Sequence, residues 1–135
     1  ELAQEINNSM PGYVVNKVNE ILNSNEIILN NSKILLMGVA YKKDISDMRE
    51  SPAIDITELL LEKNVNVAYY DPHVEEFKVS GHKINKEIDT KLFDNYDMLL
   101  VITPHTQFAE INFSNYQTII FDTTGSDFIK STERI

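Results

Sequence analysis

The chain has no cysteine and few glycines, and each of these shortages excludes certain kinds of functional site. Without cysteine, its 135 residues can form no disulfide, thiolate zinc site or catalytic thiol. Its four glycines make no Gly-x-Gly-x-x-Gly fingerprint, and Gly38 lacks the second glycine, lysine and hydroxyl residue of a Walker loop. The usual glycine-based ways of holding nucleotide phosphates are therefore excluded from this sequence.

Long apolar runs and positive charge are also scarce. No apolar stretch approaches the length of a membrane span, and the first residues lack the pattern of a signal peptide. The 12 basic and 21 acidic residues give a net charge of -9, which disfavours nucleic acid as a partner. We therefore expect a cytoplasmic protein that binds neither membrane nor nucleic acid. Because the chain begins with Glu1 and not with Met, we also expect a fragment or a processed product.

The remaining composition is that of an ordinary globular domain. Hydrophobic residues make up 42% and charged residues 24% of the chain, close to the average for soluble domains. A length of 135 residues suffices for one core and is short for two. One main domain is therefore predicted.

Apolar segments that each end in a polar, turn-forming cluster predict the strands. They lie at 33–39, 65–70, 97–102 and 118–121. Ser51 and Pro52 predict the start of a helix over 52–63, a short strand is expected within 74–84, and a short helix over 86–93. Strands that alternate with helices favour right-handed crossovers and a parallel sheet covered on both faces. The fold class is therefore α/β, a Rossmann-like doubly wound parallel sheet with three layers.

The first thirty residues have a different pattern. Residues 2–8 are predicted to be helical, a second helix is expected to begin at Pro11, and an Asn-rich link follows at 23–31. The second helix carries an apolar stripe: Val14, Val15, Val18, Ile21 and Leu22. This helix either packs on its own sheet or belongs to a neighbouring domain or subunit. We favour the latter, with the α/β domain at residues 31–135; a third interpretation makes the stripe a dimer contact.

The loop after the first strand is dense in opposite charges. It contains three basic and three acidic side chains: Lys42, Lys43, Arg49, Asp44, Asp47 and Glu50. In open α/β sheets ligands bind at the carboxyl ends of the strands, and the free N–H groups of a helix N-terminus favour an anion. We therefore predict that this loop binds phosphate. The alternative is a solvated loop whose ions pair with one another.

Other polar residues follow the predicted strands at the same edge. Asp71 lies where a Rossmann-type fold keeps a ribose-binding carboxylate, although a turn aspartate before Pro72 is an equal alternative. His73 and His105 also fall at strand ends, where either could touch a ligand. The three histidines have no metal-ligand spacing and no Ser-His-Asp arrangement can be argued. We therefore predict no metal site and no catalytic residue within this chain.

Several motifs resemble one family. Residues 38–44 and 47–52, followed by Tyr70-Asp71-Pro72, resemble the carboxyl-terminal domain of the UDP-glucose/GDP-mannose dehydrogenase family. Residues 103–108 are similar to the end of that domain's third strand, and residues 2–11 to the end of the family's central helical domain. The overall pattern is nearer to the bacterial UDP-N-acetylmannosamine or UDP-N-acetylgalactosamine 6-dehydrogenases than to animal UDP-glucose enzymes.

The resemblance implies a function and a domain arrangement. The family oxidises the C6 alcohol of a nucleotide sugar to a carboxylate with two NAD molecules. An amino-terminal domain holds NAD, a central helical domain dimerises, and the carboxyl-terminal domain holds the nucleotide sugar. Residues 1–30 would then be the end of the central dimerisation domain and a linker, and residues 31–135 the UDP-sugar-binding domain.

The resemblance also implies roles for single residues. Lys42 would contact the nucleotide sugar, Tyr41 would shape the uridine or phosphate pocket, and Arg49 would reach NAD in the neighbouring domain. Thr124 and Gln4 stand where many members carry an arginine, which bears on the strength of binding and the identity of the sugar. The family's catalytic cysteine lies in a Gly-Gly-x-Cys motif that this chain does not contain, so we expect the chain alone to be inactive.

The expected function is thus the UDP-sugar-binding part of an NAD-dependent UDP-sugar 6-dehydrogenase. Its partners would be the remainder of the same polypeptide and a second copy of it, and its product would supply surface polysaccharide synthesis. The alternative is a stand-alone nucleotide-binding or regulatory module that uses the same fold without catalysis.

Overall fold

The computed structural model describes the backbone of residues 2–134 and the side chains of residues 10–134. Two α-helices, α1 (Leu2–Ser24) and α2 (Pro52–Glu62), accompany eight strands. The strands are β1 (Lys33–Met37), β2 (Asn66–Tyr70), β3 (Lys78–Val79), β4 (His82–Lys83), β5 (Asn85–Lys86), β6 (Met98–Val101), β7 (Ile119–Asp122) and β8 (Glu133–Arg134). Three 3₁₀-helices complete the described elements: Thr90–Asn95, Thr106–Glu110 and Phe113–Asn115.

Six strands form one parallel sheet in the order β5-β2-β1-β6-β7-β8. In its centre Leu36 of β1 lies opposite Tyr69 of β2 and Leu100 of β6. The chain runs outward from β1 in one direction and from β6 in the other, so the order reverses between these two strands. This arrangement confirms the predicted doubly wound α/β fold.

Both faces of the sheet are covered, as expected for parallel strands. Along β1, Ile34 and Leu36 join a core shared with α1 and α2, whereas Leu35 and Met37 join a second core. The second core is rich in aromatic side chains from the 3₁₀-helices: Phe93, Phe108 and Phe113. The fold therefore has three layers, but 3₁₀-helices form one outer layer where the sequence predicted one short helix at 86–93.

Ser51 begins α2 and also ties it to the end of β1. Its hydroxyl accepts a hydrogen bond from Ala53 N–H at 3.1 Å and donates one to the Val39 carbonyl at 2.7 Å. Pro52 follows in the first turn, where a missing N–H costs nothing. The predicted start of this helix is confirmed, and its position fixes the helix N-terminus beside the loop that follows β1.

Residues 2–8 are helical, as predicted, but no separate helix begins at Pro11. Instead, α1 continues through Pro11 as one α-helix. A proline inside a helix removes one backbone hydrogen bond, and burial of the apolar stripe beyond Pro11 offsets that cost.

The described part of the chain contains no helix long and apolar enough to cross a bilayer.

The apolar stripe of α1 packs on this domain's own sheet. The stripe residues are at most 5% exposed and share a core with Ile34, Leu100 and Phe121. A single helix about 10 Å wide cannot cover four strands spaced about 4.8 Å apart, so α1 covers what α2 leaves open. The expectation that this helix packs on a neighbouring domain or subunit is therefore wrong for its described side chains. The interpretation of Val14, Val18 and Ile21 as a dimer contact is wrong for the same reason. The assignment of residues 1–30 to a central helical domain stays a prediction.

Candidate nucleotide-binding site

The strand order reverses between β1 and β6, and polar loops meet at the carboxyl ends of these strands. Ligands of open α/β sheets bind in the crevice at such a reversal. Residues 38–50 follow β1, Asp71 follows β2, residues 103–105 follow β6 and Thr123 follows β7. The polar strand ends that the sequence predicted at one edge therefore do meet there, and four loops build this edge.

Gly38 lets the chain leave β1 tightly against the end of β6. Its φ of +81° lies in the left-handed region, and a Cβ at this position would overlap the Thr103 carbonyl oxygen. The Thr103 hydroxyl also donates a hydrogen bond to the Ala40 carbonyl at 2.6 Å. Only glycine fits this close approach, which explains why the apolar run of β1 stops there.

Asp71 is a structural anchor for the loop after β1. It is only 1% exposed, and one carboxylate oxygen accepts hydrogen bonds from the N–H groups of Val39 and Ala40 at 2.8 and 3.3 Å. The other oxygen accepts from His73 N–H at 2.8 Å. Because both oxygens are engaged inside the protein, this geometry favours the turn interpretation of Asp71 over a ribose ligand.

The charge on Asp71 is stabilised despite burial. Burial acts to raise the pKa of Asp71, but hydrogen bonds from His105 and from the backbone N–H groups of Val39 and His73 outweigh it and hold the pKa below its ordinary value. Asp71 is therefore ionised at neutral pH.

His105 connects Asp71 to the charged loop. The ring is fully buried, its Nε2 lies 2.8 Å from an Asp71 carboxylate oxygen, and its Nδ1 lies 2.7 Å from the Asp44 backbone nitrogen. A nitrogen that accepts a backbone N–H carries no proton, so this geometry assigns the neutral ring with hydrogen on Nε2. Instead of facing a ligand, His105 lies behind the loop.

The acidic residues of the loop have separate partners. Asp44, at φ +63°, accepts hydrogen bonds from the Thr106 hydroxyl and N–H group, which lower the pKa of Asp44. Asp47 pairs with Arg49 at 3.0 Å, and the hydrogen bond and charge of Arg49 lower the pKa of Asp47. Ion pairing within the loop, the alternative to phosphate binding, is therefore present for Arg49, whereas Asp44 binds the segment after β6.

One cluster has the composition of a metal site. Asp44, His73 and His105 bring a carboxylate oxygen and two ring nitrogens within 4.8 Å of one another. The His105 Nδ1 lone pair, however, is directed at the Asp44 N–H group, and His73 Nε2 lies 3.1 Å from the Gln107 side-chain oxygen. In this conformation the two rings do not offer their lone pairs to a common cation.

A pocket of about 510 Å³ opens beside the loop. It lies between α1, the N-terminus of α2 and the ends of β6 and β7. Its lining residues are Met10, Pro11, Val14, Tyr41, Pro52, Ile56, Ile102, Thr123 and Thr124. A volume of several hundred Å³, mostly apolar walls and a few polar groups are typical of small-molecule sites. The pocket thus combines an aromatic ring, two threonines and a helix N-terminus.

Comparison with known proteins identifies the family of this chain. Residues 35–127 match the model of the UDP-glucose/GDP-mannose dehydrogenase family, UDP binding domain. The chain belongs to this family. A UDP-N-acetyl-D-mannosamine dehydrogenase of Methanococcus vannielii is 36% identical over 107 residues, which cover 78% of this chain and 23% of that protein. The chain spans about a quarter of the length of the UDP-N-acetyl-D-mannosamine dehydrogenases of Methanococcus that it matches.

Two solved structures of the family's dehydrogenases are similar over almost the whole chain. A UDP-D-ManNAc dehydrogenase of Pyrococcus horikoshii is 26% identical, with a TM-score of 0.78 over 98% of this chain and 31% of that one. The UDP-N-acetyl-mannosamine dehydrogenase of Staphylococcus aureus is 35% identical, with a TM-score of 0.70 over 96% of this chain and 30% of that one.

The residues that the resemblance singled out lie at different places on this family domain. Tyr41 lines the pocket and is 42% exposed, and Lys42 holds its ammonium group 5.5 Å from the centre of the Tyr41 ring. Arg49 does not line the pocket, and its side chain is 89% exposed. The structure therefore brings Tyr41 and Lys42 together and leaves Arg49 facing outward.

The two positions without the family arginine differ in what the structure describes. Thr124 lines the pocket, and its hydroxyl donates a hydrogen bond to Asp122 at 2.6 Å. The side chain of Gln4 lies outside the described residues. Thr124 therefore offers a short, already engaged hydroxyl at the position where the resemblance implies an arginine in many members.

Proposed function

We propose that this chain is the carboxyl-terminal, UDP-sugar-binding part of an NAD-dependent UDP-sugar 6-dehydrogenase. The observation that carries the proposal is the pocket at the strand reversal, lined by Tyr41 in a segment that matches the family's UDP binding domain. The names of the relatives support a UDP-N-acetylhexosamine, and UDP-N-acetylmannosamine in particular, as the substrate.

The pocket residues suit the two parts of UDP differently. The Tyr41 ring offers a flat apolar surface for the uracil base or ribose, and the Pro52 ring adds to the apolar wall of the pocket. Lys42 supplies a mobile ammonium group for a phosphate oxygen next to that ring. The positive charge of Lys42 would offset part of the repulsion that the chain's net charge of -9 creates for the diphosphate.

Oxidation of the sugar needs groups that these residues do not supply. NAD accepts hydride from the C6 carbon when it is bound, and this sequence contains neither a glycine-rich NAD loop nor a cysteine. We propose that the chain binds and orients the nucleotide sugar, that Arg49 extends from the loop toward NAD, and that the chain alone is inactive. A cytoplasmic homodimer that feeds surface polysaccharide synthesis belongs to the same proposal.

Calorimetric titration of the 135-residue chain with UDP tests the binding step. Lys42→Ala should weaken UDP binding by roughly 1.5–3 kcal/mol, the range for hydrogen bonds to charged groups. Lys43→Ala is the matched control, because it removes the same charge from the same loop and should change the affinity by less than about 0.5 kcal/mol. Equal losses of UDP affinity in both variants would mean that Lys42 acts only through unspecific charge attraction. Absence of UDP binding by the wild-type chain would contradict the proposal.

A second experiment separates the enzyme from the non-catalytic alternative. A nucleotide-binding or regulatory module would use the same pocket, so UDP affinity does not distinguish the two. The protein that contains this chain should reduce NAD when UDP-N-acetylmannosamine is supplied. Tight UDP binding without such reduction would favour the alternative.

A further inference from the structure

The short segment from Val39 to Asp44 is held at both ends and carries its ligand residues in between. At its start, the N–H groups of Val39 and Ala40 donate to Asp71. At its end, the Asp44 N–H group donates to His105 Nδ1. Tyr41 and Lys42 therefore lie between two anchors that depend on one buried pair of side chains.

Each nitrogen of His105 has a separate and necessary task. Nε2 donates to Asp71 and Nδ1 accepts from Asp44, so the ring links the loop after β1 to the end of β2. The neutral ring alone can donate on one side and accept on the other, because a doubly protonated imidazole has no acceptor. The link therefore exists in one protonation state and one tautomer.

We propose that His105, as the neutral ring with hydrogen on Nε2, is a positioning residue that sets Tyr41 and Lys42 at the nucleotide pocket. The inference rests on the proposed function and extends it to a residue that touches no ligand. His105 acts through the Asp44 backbone. The hydrogen bond from the Asp44 N–H group fixes the end of the segment from Val39 to Asp44, and the hydrogen bonds to Asp71 fix its start.

The groups around His105 define what a second proton would do. Asp71 faces it from the end of β2, the His73 ring lies 4.6 Å away between ring centres, and an Asp44 carboxylate oxygen lies 4.0 Å from Nδ1. From the segment after β6, the uncharged Phe108 ring lies 5.6 Å away between ring centres. A protonated ring would repel the Asp44 N–H group and attract the Asp44 carboxylate, which would have to leave Thr106. Protonation therefore shifts the loop.

Two substitutions separate the two tasks of the ring. In His105→Asn the side-chain oxygen can take the place of Nδ1 and accept from Asp44, while Asp71 loses its donor. In His105→Gln the amide N–H can take the place of Nε2 and donate to Asp71, while the Asp44 N–H group loses its acceptor. We expect the Asn variant to bind UDP-glucose within about threefold of the wild type, and the Gln variant at least tenfold more weakly.

The order of stabilities distinguishes positioning from a merely structural role. The Asn variant leaves a buried carboxylate without one hydrogen bond and should be the less stable of the two in urea unfolding. Affinity and stability should therefore rank the two variants in opposite orders. If affinity falls in proportion to stability, or if the Gln variant binds as well as the wild type, the proposal is wrong.

The pH profile gives an independent measurement. The ¹⁵N shifts of the His105 ring should show hydrogen on Nε2 only, and UDP-glucose affinity should fall with the same midpoint at which Nδ1 gains a proton. UDP-glucose is the probe because its diphosphate is esterified at both ends and therefore gains no proton over the pH range of the measurement. The pH step should vanish in His105→Asn and persist in the control His82→Asn. A ring with hydrogen on Nδ1 at neutral pH would overturn the proposal.

Failure of the proposed function has a different signature. If the wild-type chain does not bind UDP-glucose, the pocket assignment is contradicted, while exchange of the Asp44 amide hydrogen still tests the position of the loop. That amide should exchange slowly in the wild type and in His105→Asn, and at least tenfold faster in His105→Gln. Equal exchange in both variants would overturn the role of His105.

Discussion

Gly38 and Thr103 bring the backbones that follow β1 and β6 into direct contact at the ligand edge. The glycine has φ +81°, and an added Cβ would overlap the carbonyl oxygen of Thr103 and lie 2.9 Å from its Cβ. Neither backbone can yield without disturbing a central strand. The close approach of these two backbones therefore depends on the absence of one methyl group at Gly38.

Gly38→Ala should destabilise the chain by roughly 2–5 kcal/mol, because it combines an unfavourable φ with overpacking against backbone. Gly125→Ala is the matched control, since Gly125 also has positive φ, +71°, but has nothing within 4 Å of an added Cβ. It should cost only about 1–2 kcal/mol. Urea unfolding of both variants measures the difference, and similar losses would contradict the contact with Thr103.

Thr57→Val should stabilise the chain by about 1 kcal/mol. The Thr57 side chain is fully buried in α2, and its hydroxyl has no hydrogen-bond partner among the described residues. A methyl group of the same shape removes the cost of burying that hydroxyl. In contrast, Thr103→Val removes a hydroxyl that donates to Ala40 and should destabilise by about 1 kcal/mol. The same sign for both changes in thermal unfolding would refute this explanation.

Asp71→Asn should lower the stability at neutral pH by roughly 1–3 kcal/mol, because a buried acceptor of several hydrogen bonds is weakened. The pKa of Asp71 is lower in the folded chain than the unfolded value of about 3.9, so its charge stabilises the fold above that value. This contribution is lost as the pH falls through the lower, folded value.

The gap between wild type and Asp71→Asn should therefore be constant above about pH 5 and shrink below about pH 4. Unfolding free energies from pH 7 to pH 2 measure it. Asp127→Asn, at an exposed position, controls for the loss of one negative charge. A gap that grows in acid would mean that Asp71 is protonated in the folded chain.

Lys42 and Arg49 should affect different ligands of the intact dehydrogenase. Lys42→Ala should weaken UDP-sugar binding by roughly 1.5–3 kcal/mol and leave NAD affinity nearly unchanged, and Arg49→Ala should do the reverse. The pair of Arg49 with Asp47 is exposed to solvent, so Arg49 can leave it at little cost. Titration of both ligands against both variants measures this. Negligible effects of both substitutions on both affinities would mean that the loop is a solvated cluster of ion pairs and binds neither ligand.

Much of the sheet could be predicted from the sequence, since long apolar runs bounded by turns mark β1, β2, β6 and β7. The edge strands β5 and β8 could not, because two residues carry no periodicity. The hairpin of β3 and β4 was anticipated only as one short strand within 74–84. The packing of α1 was missed because an apolar stripe looks the same whether its own sheet or another domain covers it.

The site was predicted by position more than by role. The loop after Gly38 and the polar strand ends do meet at one edge, because the carboxyl ends of parallel strands always do. The burial of His105 and Asp71 could not be predicted. The local sequence around a polar residue at a strand end is the same whether its side chain faces solvent or is buried beneath a loop. A hint was present in Thr106 and Gln107, whose polar groups follow His105 and pair with Asp44 and His73.

Amide chemical shifts during a UDP titration of the chain test the central claim most directly. The account predicts saturable shifts confined to the pocket, at Tyr41, Lys42, Ile56 and Thr124. A second cavity, of about 310 Å³, lies at the opposite edge of the sheet and is lined by residues that include Lys33, Asn66 and Tyr96. Shifts that cluster at that second cavity, or no shifts at millimolar UDP, would contradict the assignment of this domain's nucleotide site.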